Sequence, residues 1–148
     1  MEKIAVFVND AEHALHILQP MLRSAGPTHW IVVASAPTLT RHIGRWVSHS
    51  ARQQWLDRWS ADLFAQLEPL LRAAPGSKFE KMLVKRPLVE VSERLQARLG
   101  SMRLLDARRP RVGKTEEPIA AGQPVESHSP WAPVAATAGL SAMLTLAD

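Results

Sequence analysis

The chain opens on an unbroken apolar run, Ile4-Ala5-Val6-Phe7-Val8, which stops at Asn9-Asp10 and passes at once into a helical pattern from Glu12 to Leu18. A continuous run rich in β-formers predicts a strand buried on both faces. Ala11, Leu15, Leu18 and Leu22 on one helical face then predict a βα unit of a parallel sheet. Trp30-Ile31-Val32-Val33-Ala34 repeats the strand signal after the Gly26-Pro27 break, and Pro37 ends it. From Thr38 to Ala73 the pattern is helical, but too long for one regular helix. Ser48-His49-Ser50 is the expected interruption, because small hydroxyl residues compete for backbone hydrogen bonds and favour caps and turns. The stronger half, Gln54 to Arg72, spaces Trp55, Trp59, Leu63, Leu67 and Leu70 to share a face.

Pro75-Gly76 predicts a turn, and Lys78 to Val84 alternates enough to be a third strand nearer an edge than the first two. Pro87 opens a helix to about Leu99, with Val91, Leu95 and Leu99 inward and Gly100 just past its end. Met102 to Leu105 is a short fourth strand ending at Asp106. With right-handed crossovers, this β-α-β-α-β-α-β order predicts a doubly wound, three-layer α/β/α sandwich over residues 1–107, with a parallel sheet of four or five strands. Between Ala107 and Pro133 the prolines and glycines recur and periodicity is lost, so residues 108–133 read as a Pro-rich loop or extension. Residues 134–148 read as a C-terminal helix packed on the core or on a partner subunit. Its small-residue face is Ala135, Ala138, Gly139 and Ala142. The stretch from Trp131 is too short and too rich in Ala, Thr, Ser and Gly for a membrane span.

At 148 residues, 46% hydrophobic and 22% charged, the chain can bury the core of one domain. It has no cysteine, which excludes disulfides, thiolate metal sites and cysteine nucleophiles together. A cytoplasmic protein is the expectation, since no cleavage-type signal follows the short apolar run. A net charge of +4 and a pI of about 10.1 admit polyanionic partners, but an unlocalised surplus does not argue for nucleic acid.

The segment I4AVFVNDAEHALHIL18 resembles the strand, Asp-containing turn and E-H-A-L helix opening of the universal stress protein family. The proline-terminated second strand (VVASAP), the long second helical region and the short Met102–Leu105 strand fall in that family's order. The resemblance covers roughly residues 3 to 107. It implies a sheet ordered 3-2-1-4 with a possible fifth strand, a homodimer, a role in stress response and, in one branch, bound ATP or another adenine nucleotide as cofactor. Two departures bear on ATP: Asn9 stands where the family's nucleotide-contacting aspartate is expected, with Asp10 next to it. The glycine-rich phosphate loop G-x2-G-x9-G-[S/T] is replaced by Asp106-Ala107-Arg108-Arg109-Pro110-Arg111-Val112-Gly113. The usual last strand is not recognisable.

With that strand order, the crevice between the loops after the first and fourth strands faces Asn9 and Asp10 with Asp106, Arg108 and Arg109. Arginine forks can hold phosphate oxygens where glycine backbone NH groups are missing. The five residues therefore form a candidate site for a small anionic ligand such as a nucleotide, with Asn9 or Asp10 on its polar end. The plainer alternative is that Asp10 caps the first helix and Asp106 pairs with a neighbouring arginine.

Arg41, Arg45 and Arg52, with Trp46 between them, form the densest basic and aromatic region. They read either as an interaction surface or as a solvated face over a Trp-containing core. Val112-Gly113-Lys114-Thr115 matches only the end of a P-loop, since Arg108 occupies the place of its first glycine. His13 and His16 have chelate spacing but no third ligand, and no G-x-S-x-G elbow is present. The leading expectation is a ligand- or partner-binding protein with no catalysis of its own, and hence no catalytic or metal residues. The alternatives are a nucleotide hydrolase or transferase using Asp10 or Asp106, and a basic interaction module using Arg41–Arg52.

Overall fold

Strand β1 (Glu2–Val8) lies at the centre of the sheet, because both of its faces are apolar and both find a helical layer to bury them. The computed structural model describes residues 2–24, 26–36, 48–84, 87–110, 118–120 and 131–132. The elements that follow are α1 (Ala11–Leu22), β2 (Thr28–Ser35), α2 (His49–Leu71), β3 (Lys78–Val84), α3 (Leu88–Leu99), β4 (Arg103–Asp106) and β5 (Trp131–Ala132). The sheet order is β3-β2-β1-β4-β5. The first four strands are parallel, as the sequence predicts, and the fold is an α/β sandwich.

Alternation along β1 sorts the core into two halves. Ile4, Val6 and Val8 join Trp30, Val32 and Ala34 beneath α1 and α2, where Leu18, Leu63, Leu67 and Leu71 close the layer. Ala5, Phe7, Ile31 and Val33 face the other way and meet Val91 and Leu95 of α3. Ile119 and Ala120, inside the Pro-rich extension, are fully buried in this second half, so the extension supplies core.

Two local features depart from the sequence reading. The inward stripe of α2 is Leu56, Ser60, Leu63, Phe64, Leu67 and Leu71, rotated from the predicted one, and Trp55 is 42% exposed and stacked on Trp59. The helical period is right; its phase follows the sheet surface available to it. Ser48 stands where the break is expected, as the extended N-cap of α2, accepting a hydrogen bond from Ala51 N at 3.1 Å. A fifth strand exists within the segment read as aperiodic, but it is two residues long and pairs antiparallel with β4, which is why no run of alternating residues announces it. Arg103 bridges it to the core, lying 3.9 Å from the centroid of the Trp131 ring and 2.9 Å from Glu2. The predicted 134–148 helix lies outside the described residues.

Candidate functional site

The strand order reverses beside β1, the position at which open parallel sheets bind ligands between the loops leaving neighbouring strands. The β1–β4 ladder runs one step past the strand, with Ala107 N donating to Phe7 O at 2.9 Å. The next residues of each loop therefore sit side by side. Asn9, Asp10, Asp106, Arg108 and Arg109 are all brought to this end of the sheet.

Their chemistry divides into two groups. Asp106 is in register with Phe7 and shares its side of the sheet, that of α3. Arg108 folds back onto it, with Nε and Nη2 donating to the two carboxylate oxygens at 2.9 and 3.0 Å and its backbone N–H to Oδ1 at 3.2 Å. The Arg108 side chain is only 4% exposed. A guanidinium this deep, closed on a bidentate carboxylate, is a brace for the loop rather than a fork offered to a phosphate.

Arg109 turns the other way, towards α1. Its backbone is clasped by the Asn9 amide: Arg109 N donates to Asn9 Oδ1 at 2.6 Å, and Asn9 Nδ2 donates to Arg109 O at 3.3 Å. Its guanidinium donates to Asp10 Oδ2 from Nε at 3.1 Å and from Nη2 at 3.0 Å, with Glu12 at 3.8 Å. Asp10 also caps α1, accepting from His13 N at 2.9 Å. Both the cap and the acid–arginine pairs of the plainer reading are therefore present. The Arg109 side chain nevertheless remains 52% exposed. Arg109 is the cation of the predicted five that faces solvent at the crevice.

The sequence reading overlooked two participants. Glu12 supplies a second, highly exposed carboxylate to Arg109. His13 is half-buried, and its pKa is lowered by burial and then by the Arg109 charge, against a smaller upward pull from Asp10. The signal for both was their place in the first turn of α1, which a caps-and-dipole reading treats as local. Among the described residues no group of three or more His, Asp or Glu side chains is placed to hold a metal ion. No helix of the described residues is long and apolar enough to cross a membrane.

Of the basic region, Arg52 lies half-buried in the first turns of α2, while Arg41 and Arg45 lie outside the described residues. So does the Val112–Thr115 P-loop ending. No family model, curated protein or solved structure matches this chain.

Proposed function

We propose that this protein is a universal-stress-protein-like binding protein without catalysis of its own. It takes a small anionic ligand, with an adenine nucleotide as the first class to test, at the crevice between the loops after β1 and β4. The observation that carries this reading is the Asn9 clasp on the Arg109 backbone, which holds a half-exposed guanidinium at the strand ends where open parallel sheets bind ligands. The partners of that guanidinium, Asp10 and Glu12, are 39% and 91% exposed. Exposed pairs of this kind contribute about 0–1 kcal/mol, so a phosphate or carboxylate can exchange for them at small cost. Asp106 and Arg108 brace the loop from below and do not touch the ligand.

The absence of catalysis in this reading rests on how the two carboxylates are used. Asp10 and Asp106 each serve a backbone N–H and a guanidinium at once, which leaves neither disposed to take a proton from substrate. The reading extends to a homodimer and a role in stress response, and light scattering in solution tests the first of these.

The deciding experiment is a thermal-shift titration with ATP, AMP and inorganic phosphate, with and without magnesium, backed by calorimetry. A ligand at 100 times its Kd adds about 2.7 kcal/mol, a shift of several degrees for a domain of this size. Arg109→Ala should abolish the ligand-induced shift, measured against that variant's own baseline, while Arg52→Ala keeps it. Loss with Arg52→Ala instead favours the basic interaction surface. Nucleotide turnover that disappears in Asp10→Asn or Asp106→Asn favours a hydrolase.

A further inference from the structure

Two strands from β1, β3 is the last of the described strands on the side of the sheet opposite β5. The two halves of β3 differ. Lys78, Glu80 and Lys81 put charge on its first half, the usual protection of an exposed strand edge, whereas Met82-Leu83-Val84 leave the second half apolar. A groove of about 550 Å³ runs along this second half. Its walls are Met82, Leu83 and Val84 on one side and Val91, Leu95 and the two arginines Arg94 and Arg98 of α3 on the other.

The identity of the strand residues fixes where the groove runs. Successive side chains of a strand point to opposite faces. Met82 and Val84 pack against the α3 half of the core and Leu83 against the α1–α2 half. A groove touched by all three crosses the rim of the sheet itself. Gln53 of α2 also lines it, so both helical layers overhang the edge of β3. This is the slot that one more strand would fill, its side chains meeting Leu83 on one face and the arginine-bearing wall of α3 on the other.

We propose that this slot binds an extended peptide segment of a partner protein by strand addition to β3, and that the segment alternates apolar with acidic residues. Strand addition supplies affinity through backbone hydrogen bonds and specificity through pockets for alternate side chains. The acidic preference follows from the walls: among the described residues the charged groups lining the groove are both arginines, one helical turn apart on α3, with no carboxylate beside them. Their side chains are 61% and 52% exposed. Their counter-ions Glu90 and Glu80 sit outside the lining, at 3.2 and 2.6 Å, in exposed pairs that a peptide carboxylate can displace. On the other face of the same edge Lys81 is exposed, so acids on either side of an added strand meet a cation.

The test uses two fluorescein-labelled probes, Val-Glu-Val-Glu-Val-Glu and Val-Lys-Val-Lys-Val-Lys, titrated with the full chain in anisotropy. Backbone amide exchange of residues 79–84 is followed in parallel. The expected result is saturable binding of the glutamate probe, at least tenfold weaker binding of the lysine probe, and slowed exchange of β3 amides in the complex. Arg94→Glu, at an exposed helix position that leaves the core intact, should weaken the glutamate probe tenfold or more and strengthen the lysine probe. Equal binding of the two probes, binding without protection of β3, or no binding at millimolar probe would each overturn the proposal.

Discussion

Asn9 and Arg109, a hundred positions apart, exchange two hydrogen bonds: Arg109 N donates to the Asn9 side-chain oxygen, and the Asn9 amide nitrogen donates to Arg109 O. Only a side chain that both donates and accepts can close this ring. The aspartate that the resembled family would place here accepts alone, and its second oxygen would face a carbonyl oxygen. Asn9→Asp should therefore cost about 1 kcal/mol in urea unfolding, close to Asn9→Ala, although it is the smaller change in shape. If Asn9→Asp unfolds like wild type, the clasp does not hold the loop.

Arg108 and Asp106 offer a sharper test of the brace. Removing the buried guanidinium leaves the Asp106 carboxylate with only the Arg108 backbone N–H, so Arg108→Met should cost about 3 kcal/mol, reduced towards 2 by the partial exposure of Asp106. The double variant Asp106→Asn/Arg108→Met should recover much of that loss. A double-mutant cycle with coupling near zero would mean that the pair does not act as a unit.

His13 makes stability depend on pH in a stated direction. Burial, and then Arg109, hold its pKa in the folded protein below the ordinary value of 6.5. Between the folded value and 6.5 the unfolded chain binds more protons than the folded one. Stability is therefore complete above pH 6.5 and falls as the pH drops towards the folded pKa. His13→Gln should flatten that part of the stability profile relative to wild type. Arg109→Gln should raise the His13 pKa in an NMR titration of its ring protons, by removing the second of its causes.

Gly100 and Gly26 separate conformation from space. A Cβ at either would meet nothing within 4 Å, but Gly100 sits at φ +81°, a region closed to ordinary side chains. Gly100→Ala should destabilise by about 1–3 kcal/mol with no steric clash. Gly26→Ala should be neutral or slightly stabilising, because it only narrows the unfolded ensemble. Chemical denaturation of the two variants side by side checks both.

How much was readable beforehand differs from element to element. Lys78–Val84 was placed to the residue and at an edge, because its mixture of charge and alternation fits a strand with one bare side. Gly100 was placed as a helix stop, and its positive φ is the physical reason. The face of α2 was placed in part: Leu63 and Leu67 are core and Trp59 packs against it, whereas Trp55, stacked on Trp59 at 6.1 Å, stays exposed. Hydrophobicity reports a period; the phase depends on the surface opposite. At the strand ends the five residues were chosen from the strand order that the family resemblance implies, but Arg108 and Arg109, adjacent and chemically identical, could not be told apart. Neighbouring residues leaving a strand point to opposite sides, so one is buried against Asp106 and the other stays in solvent.

The sequence by itself determined the local elements and, through continuous apolar strands and crossover chirality, the layered parallel sheet. These depend on periodicity and chain handedness, which are properties of short segments. Only the tertiary structure decided which charge is buried, which histidine is desolvated, and that the apolar half of β3 borders a groove walled by two arginines. Each of those depends on contacts between residues far apart in the chain, whose energies change sign with burial.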